Sequence, residues 1–415
     1  MTLIKTSLLN AIAVAIRMLT LLGLNKILAI YVGPSGYAVI GQFQNALTMV
    51  MTFAGGAINT GVTKYTAEYY ASESQQHTVW QTAFIISLVF TFVISIFMAV
   101  FNRWLAEVIF KDAANGSIFL WLSVTLILFV LNSLLLAIIN GKKEIRLYIT
   151  INIAGSLIAL VFTGFLTYFY GLYGALISLV TNQSVVFILT LWLCRQQAWF
   201  KFSHFWGVVD NQVALNLGKY VLMALTSAVA IPVTHMFIRS HLISNFGLEG
   251  AGYWDAIWRI SSIYLMFVTT TLGIYYLPRL SEISEKKEFR KEIFSGFKII
   301  LPIAFFSSLA IYLFRDLIVS ILFTEDFASM TGLFAWQMAG DVVKIASWLL
   351  GYSLIAKGLA KEFIIKEILV LSVFYFLTVF FTSELGLPGV VKAHFYTYIC
   401  NFLLIFFILK NAKLI

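Results

Sequence analysis

The sequence predicts an all-α membrane protein that crosses the bilayer about twelve times, and three observations lead to that fold class. Of its 415 residues, 60% are hydrophobic and 11% are charged, whereas roughly 25% are charged in an ordinary soluble domain. The mean hydropathy is +0.91. Apolar runs long enough to span a bilayer recur along the whole chain, with polar breaks between them.

The polar breaks set the boundaries of the expected helices. We expect helices at residues 7–31, 38–60, 80–101, 117–140, 147–169, 172–194, 220–240, 253–277, 298–314, 331–356, 364–383 and 387–409. The first run contains Arg17 and Lys26 and lacks a small-residue cleavage site. We therefore interpret it as a retained helix and not as a signal peptide.

Lysine and arginine residues are distributed unevenly between the two ends of these helices. With the N-terminus inside, nineteen of the 28 fall on the cytoplasmic side, five on the opposite side and four within spans. Because short cytoplasmic loops of membrane proteins carry an excess of Lys and Arg, we expect both termini on the cytoplasmic side.

The chain matches itself at an offset of about 215 residues. Without gaps, this offset aligns Phe119 with Phe334, Trp121 with Trp336, Lys142 with Lys357, Gly171 with Gly386 and Gly174 with Gly389. We expect two six-helix bundles, residues 1–200 and 220–415, joined by a cytoplasmic linker at 201–219. An even number of spans in each half makes the repeat parallel, and such transporters hold substrate between their halves and work by alternating access.

Charged residues inside the spans are the main candidates for function, because a charge at the bilayer centre costs about 2.5–3.5 kcal/mol on insertion scales. Six such residues fall in the expected spans: Arg17, Lys26, Asp255, Arg259, Asp341 and Lys344. Each aspartate has a base three or four residues later, a spacing that places the two side chains on one helix face and makes local neutralisation possible. The remaining excess of two bases would attract an anion, in particular a phosphate, to which arginine offers bidentate hydrogen bonds.

Arg17 and Lys26 are separated by nine residues, which at about 100° per residue places them on opposite faces of a straight helix. They can face one cavity only where the helix bends or unwinds near Gly23. The alternative is that Lys26 extends to the membrane surface and Arg17 pairs across the bundle. A second backbone feature is Pro232 in the seventh span, which predicts either a hinge or a static kink.

The sequence lacks the motifs of several other functional classes of protein. It contains no phosphate-binding P-loop motif, no metal-ligand cluster with recognisable spacing and no nucleophile motif. The net charge of +9 comes from basic residues between apolar spans and not from a nucleic-acid-reading motif. We therefore expect no enzymatic activity, no metal, no cofactor and no nucleic-acid partner.

Three sequence stretches resemble a known family. They are Gly61–Tyr65, Tyr276–Ser281 and, most specifically, Leu333–Gln337 followed by Gly340–Lys344. These stretches are similar to those of the Wzx-type flippases of enterobacteria. That family belongs to the multidrug/oligosaccharidyl-lipid/polysaccharide exporter superfamily, whose fold is two six-helix bundles. The similarity extends over essentially the whole chain.

The resemblance implies a function and a set of site residues. Wzx-type flippases translocate undecaprenyl-pyrophosphate-linked oligosaccharides, such as units of enterobacterial common antigen or O-antigen of lipopolysaccharide, across the bacterial inner membrane. By this similarity Arg17, Lys26, Lys64, Arg259 and Lys344 form a cationic substrate site. Asp255 and Asp341 are then counter-ions or coupling residues. The family further implies membrane lipid, a glycan polymerase and a chain-length regulator as partners.

Two other functions compete with this interpretation. A multidrug or cation exporter of the same superfamily would share the architecture but needs unpaired acids within the spans, whereas this sequence offers unpaired bases. A membrane polysaccharide polymerase would need a large extracytoplasmic loop with catalytic residues, and the loops expected on that side are short.

Overall fold

The computed structural model describes the backbone of residues 3–283, 285–412 and 414. Side chains at residues 3–11, 56, 219–224, 226, 227, 271, 273, 274, 278, 282 and 360 are outside this description. The described backbone is helical with short connections and contains no strand. Eight of its helices are long and apolar enough to cross a membrane. The prediction of an all-α polytopic membrane protein is therefore confirmed.

In both halves of the sequence, long helices first alternate with short ones and then follow one another. The helices of the first half are α1 (Leu3–Phe53), α2 (Asn59–Glu68), α3 (Glu73–Val100), α4 (Asn102–Phe110), α5 (Gly116–Gly141) and α6 (Ile145–Cys194). Those of the second half are α7 (Asn211–Thr271), α8 (Leu277–Glu282), α9 (Lys286–Leu313), α10 (Arg315–Leu322), α11 (Phe334–Ala356), α12 (Ala360–Leu385) and α13 (Gly389–Asn411). A 3₁₀ segment at Glu325–Leu333 leads into α11.

Three of these helices are each two helices that meet at a glycine. The backbone leaves the helical region at Gly33 in α1, Gly171 in α6 and Gly247 in α7, with φ of 67°, 55° and 73°. Glycine adopts positive φ without the Cβ clash that other residues meet. The three breaks fall in the gaps between helices expected from the sequence, which are 32–37, 170–171 and 241–252. The number of membrane crossings and the cytoplasmic position of both termini stay predictions.

The internal repeat is visible in these backbone breaks. Gly171 and Gly386, which the sequence offset aligns, have similar positive φ of 55° and 69°. Three residues later, Gly174 packs on the backbone carbonyl of Leu166 and Gly389 on that of Phe381. In each Gly-Leu-x-Gly turn, the first glycine therefore adopts the positive φ, and the second allows its backbone to approach the carbonyl of the preceding helix closely.

The described contacts divide the chain into two compact units. The first contains Met1–Tyr31 and Ile40–Pro232, and the second contains Val32–Val39 and Val233–Ile415. The division at Pro232 lies later than the boundary at 219/220 that the sequence suggested. The expected linker 201–219 belongs to the first unit.

The linker packs on the first unit because it is aromatic. Phe205 is buried with its ring 6.0 Å from that of Trp80, and the ring of His204 stacks on that of His77 at 3.8 Å. The backbone N–H of Asp210 donates a hydrogen bond to Thr82 Oγ1 at 3.1 Å. These contacts hold the segment against α3.

The short segment Val32–Val39 belongs to the second unit for a similar reason. The carbonyl of Pro34 lies against Gly252, and Tyr37 is fully buried with its ring 5.2 Å from that of Phe327. Gly33 thus separates a helix of the first unit from a helical segment that packs in the second.

Candidate functional site

Asp341 lies at the centre of a buried hydrogen-bond network in the second unit. Its Oδ1 is 3.0 Å from Nε2 of His394 on α13, and its Oδ2 accepts a hydrogen bond of 2.8 Å from the hydroxyl of Tyr264 on α7. Gln337, one turn earlier on α11, donates to Ser261 Oγ at 3.0 Å and lies 3.4 Å from Asp341 Oδ1. We call these five residues the Asp341 network. Asp341 and His394 are both fully buried.

Gly340 allows helices α11 and α13 to approach closely at this network. A Cβ atom at position 340 would overlap Cδ2 of the His394 ring and lie 3.2 Å from its Nε2. Real Cβ atoms essentially never come as close as the first contact, and the second is tighter than most. The Gly340-Asp341 dipeptide therefore supplies both the carboxylate and the space for its imidazole partner.

Lys344 lies beside the Asp341 network, but aromatic rings surround its ammonium group. Its Nζ is 4.5 Å from the ring centre of Trp258 and 5.2 Å from those of Trp348 and Tyr398. The lysine is 7% exposed, and its charge interacts electrostatically with Asp341 and with Glu367 on α12. The sequence placed Lys344 on the same helix face as Asp341, close enough for local neutralisation. The structure instead gives the carboxylate hydrogen bonds from His394 and Tyr264.

Asp255 forms a buried ion pair with Arg239. Arg239 Nε is 2.7 Å from Asp255 Oδ2, and its Nη2 is 2.5 Å from Oδ1. The two side chains are 3% and 8% exposed. This bidentate geometry is the strong form of the arginine–carboxylate interaction.

The sequence placed Arg259 on the same helix face as Asp255, whereas the bidentate partner in the structure is Arg239. Arg239 lies as many residues before the break at Gly247 as Asp255 lies after it, so the turn brings them together. Arg259 is half-buried with its guanidinium 5.1 Å from the ring centre of Tyr37. Spacing within one helix could not reveal a partner across a helix break.

In the first unit, the structure shows no helix break between Arg17 and Lys26. The only non-helical residue inside α1 is Gly33, and Gly23, where a bend was considered, is helical. Gly23 faces Leu160 of α6, and Ile27 packs on Gly164 of the same helix. Arg17 is exposed and Lys26 is half-buried. Nine residues of regular helix direct the two side chains to opposite faces.

Lys64 lies on α2 in the first unit. It is 49% exposed, with Nζ 3.6 Å from Glu68 and 4.6 Å from the ring centre of Tyr65. An ion pair this exposed contributes little to stability. The candidate bases are thus divided, with Arg17, Lys26 and Lys64 in the first unit and Arg259 and Lys344 in the second.

Three residues of the second unit were missed by the sequence reasoning. Arg239 was assigned to a loop side, and His235 and His394 were not considered. His235 is buried, with its ring 4.6 Å from that of Trp258. A histidine inside an apolar run is an intramembrane titratable group, so the rule applied to Asp, Lys and Arg would have found both histidines.

Comparison with known proteins shows similarity over nearly the whole chain. A family model described as "Polysaccharide biosynthesis protein" matches residues 12–332. Lipid III flippase of Escherichia coli (strain K12) is 30% identical over 406 residues, covering 97% of each chain, and that of Shigella flexneri gives the same values. These relatives are transporters, which confirms the expectation of a non-enzymatic protein.

Solved structures define the fold. The inward-facing conformation of a multidrug resistance MATE family transporter of the MOP superfamily has a TM-score of 0.80 at 16% identity, covering 95% of each chain. Lipid II flippase MurJ in an inward closed conformation has a TM-score of 0.72 at 14% identity, covering 98% of this chain and 87% of that one. At such identities the likeness concerns the fold, and the expected superfamily fold is confirmed.

The three short motifs that suggested Wzx-type flippases are thus part of a similarity that covers almost every helix. The family model spans most of the chain, and a curated flippase is 30% identical over 97% of it. The chain therefore belongs to the polysaccharide biosynthesis protein family that includes the lipid III flippases, and is a multi-pass membrane protein with the fold of the MOP superfamily.

Proposed function

We propose that this protein is a flippase that moves an undecaprenyl-pyrophosphate-linked oligosaccharide from the cytoplasmic to the periplasmic leaflet of the bacterial inner membrane by alternating access. The observation that carries the proposal is 30% identity over 97% of the chain to proteins named Lipid III flippase. The cargo unit is a common-antigen or O-antigen oligosaccharide.

The chemistry of this cargo defines what the protein must supply. Its polyprenyl tail is apolar and dissolves in the lipid bilayer. Burying an ionised pyrophosphate or unpaired sugar hydroxyls in hydrocarbon, however, costs a large free energy. The protein must replace water around these groups with fixed polar and cationic side chains. We assign the pyrophosphate to basic residues of the spans, because arginine and lysine are the side chains that bind phosphate oxygens.

We propose that the candidate basic residues differ in their importance for binding the pyrophosphate. Arg17 is exposed and can offer a bidentate contact to phosphate, so we place it first. Lys26 leaves the opposite face of α1, which supports a separate role for it in attracting or passing on the anion. Lys64, Arg259 and Lys344 complete the cationic set, with Asp255 and Asp341 as counter-ions or coupling residues. Pro232, at the division between the two units, is the proposed hinge.

Loss of the protein is expected to leave its cargo on the cytoplasmic side. In a deletion strain, mass spectrometry should detect an accumulated undecaprenyl-pyrophosphate glycan, and leaflet probing in spheroplasts should place it facing the cytoplasm. Re-expression of the wild-type gene should clear it. An unchanged pool of lipid-linked glycans in the deletion strain would contradict the proposal and favour a drug exporter.

Removal of the basic side chains of α1 is expected to slow translocation. A charge-assisted hydrogen bond contributes about 1.5–3 kcal/mol, so Arg17→Ala should lower the rate by about tenfold or more. Lys26→Ala should have a smaller effect, and the double variant should be the slowest. Translocation is measured with labelled lipid-linked oligosaccharide at matched protein levels.

The control for these variants is Arg103→Ala, which removes an exposed arginine from the short helix α4. It changes the net charge by the same amount and should keep the wild-type rate. Full translocation by the double variant at positions 17 and 26 would exclude the cationic site on α1.

The proposal includes partners that use the translocated cargo. A lipid-linked unit delivered to the periplasmic leaflet is a substrate for polymerisation, so we propose a glycan polymerase and a chain-length regulator as functional partners. Membrane lipid remains in contact with the polyprenyl tail throughout.

A further inference from the structure

We infer that Lys142 and Lys143 form a phosphate-binding site at the end of α5, on the side of the first unit that we expect to face the cytoplasm. The ligand is the phosphate of a lipid headgroup. This site goes beyond the proposed function, which assigns the pyrophosphate to basic residues of the spans. Lipid phosphate on this side of the membrane belongs to anionic phospholipids and to the proposed cargo, and binding experiments separate these two sources.

The backbone at Lys143 has a conformation that usually requires glycine. Helix α5 ends at Gly141, and Lys143 follows with a φ of 60°. The N–H of Lys143 donates to the carbonyl of Asn140 at 3.0 Å, and the N–H of Glu144 donates to that of Ile139 at 3.1 Å. This pattern is the Schellman motif, in which the left-handed residue is usually glycine because a Cβ atom makes that conformation unfavourable. A lysine at this position therefore weakens the fold.

The second half of the chain forms the same turn with glycine. The offset of 215 residues aligns Lys143 with Gly358, whose φ is 68°. The same two hydrogen bonds recur there, from the N–H groups of Gly358 and Leu359 to the carbonyls of Ile355 and Leu354. The turn itself thus does not require a lysine. Because strained residues of this kind cluster at functional sites, we assign the Lys143 side chain a role outside the turn.

The side chains of Lys142 and Lys143 approach the same aromatic ring. Their Nζ atoms lie 5.8 Å and 5.3 Å from the ring centre of Tyr70, which is 55% exposed. Close packing of α2 on the end of α5 brings them there, since a Cβ atom at Gly141 would lie 2.6 Å from Cβ of Thr66. Two positive charges that are held near one ring repel each other, and an anion bound between them removes this repulsion.

Among the described residues, neither ammonium group forms an ion pair with a carboxylate. Lys142 Nζ donates a hydrogen bond of 3.2 Å to Oε1 of Gln76, which is a neutral amide. Lys143 is exposed. The acid that follows it, Glu144, lies at the N-terminus of α6, where the helix dipole stabilises a negative charge. The two lysines therefore retain positive charge for a ligand.

The equivalent lysine of the second half is used differently. Lys357, which aligns with Lys142, donates a hydrogen bond to the carbonyl of Ile283 at the end of α8 and lies 4.6 Å from the ring centre of Phe289. With glycine at position 358, that turn carries one ammonium group, which is already bonded to backbone. The pair of ammonium groups is thus specific to the turn of the first half.

The position of the pair favours a lipid phosphate as the ligand. Residues Ala113–Gly141 are long and apolar enough to span the membrane, so lysines directly after them lie at the depth of the headgroups. Ammonium groups donate strong hydrogen bonds to phosphate oxygens. Each lysine near an anionic membrane surface strengthens binding about fivefold.

The test measures lipid binding and stability in the same variants of the full-length protein. Native mass spectrometry in detergent follows titrations with phosphatidylglycerol, undecaprenyl pyrophosphate and, as the zwitterionic reference, phosphatidylcholine. Lys142→Gln and Lys143→Ala should each weaken binding of an anionic lipid about fivefold. Lys143→Gly should weaken it equally and also raise the unfolding midpoint, because glycine adopts the left-handed conformation without strain. A purely structural lysine would not give this combination.

Lys111→Gly is the matched control. Lys111 is the other described residue besides glycine with a positive φ, at 58°, and it is exposed at the end of α4. Its replacement removes the same charge and the same strain, so it should raise the unfolding midpoint and leave lipid binding unchanged. If Lys111→Gly loses as much binding as Lys143→Gly, the effect comes from net charge and the site is overturned.

The two anionic lipids identify the source of the phosphate. Loss of undecaprenyl pyrophosphate binding in the Lys143 variants would place the cargo at this site, and loss of phosphatidylglycerol binding would make it a phospholipid site. A wild-type protein that binds phosphatidylglycerol but not undecaprenyl pyrophosphate would contradict the proposed cargo and leave the site in place. If Lys143→Gly binds both anionic lipids as tightly as the wild type, the site does not exist.

Discussion

Arg239→Met is expected to destabilise the protein by about 3–5 kcal/mol, because it leaves the buried Asp255 carboxylate without its cation. Methionine replaces the apolar stem of arginine, so the loss comes mainly from the missing guanidinium group and its ionic hydrogen bonds. Arg259→Met should cost less, because Arg259 is half-buried whereas Arg239 is fully buried, and charges that water reaches contribute less to stability. The measurement is the unfolding midpoint in detergent at fixed pH.

Two further variants decide whether the ion pair is responsible. In Arg239→Met with Asp255→Leu, both charges are removed together, and much of the lost stability should return because apolar residues often replace a buried ion pair without cost. Asp255→Leu alone should be destabilising, since it removes the carboxylate that accepts two hydrogen bonds from the buried Arg239 guanidinium. If Arg259→Met proves more damaging than Arg239→Met, the ionic partner of Asp255 is the local one expected from the spacing of four residues.

The helices could be predicted from sequence because their signals are local. Apolar runs set the spans, and glycines that permit positive φ mark the breaks at Gly33, Gly171 and Gly247. The repeat was also visible, since the same glycine turn is needed once in each half. The packing of the expected linker was not predictable from its polar residues, because Phe205 and His204 contact rings of α3 that are distant in sequence.

The candidate site was less predictable because its partners are distant in sequence. Spacing rules correctly placed Asp341 and Lys344 in one neighbourhood, but the hydrogen-bond partners of Asp341 come from α7 and α13. Asp255 finds Arg239 across a helix break. For Arg17 and Lys26, helix geometry predicted opposite faces, and the regular backbone at Gly23 leaves the expected directions unchanged.

Gly174→Ala and Gly389→Ala are expected to remove most of the folded protein. A Cβ atom at position 174 would overlap the backbone carbonyl of Leu166, and one at 389 would overlap the backbone of Phe381 and lie 2.5 Å from the amide nitrogen of Thr382. Backbone atoms inside a helix cannot move aside as a side chain can. We expect a cost of about 3 kcal/mol or more for each variant, at the upper end of overpacking effects.

The comparison with other glycines separates close approach from glycine's general flexibility. Gly332→Ala, at a position with open space around it, should change stability by no more than about 0.5 kcal/mol. Gly171→Ala, where φ is 55° but nothing lies within 4 Å, should cost about 1–2 kcal/mol from conformation alone. Thermal unfolding in detergent and the yield of monodisperse protein rank the stabilities of these variants. Because Gly174 and Gly389 occupy equivalent positions of the repeat, we expect similar losses of stability at both. If alanine is tolerated at either position, the two turns are packed differently in the membrane.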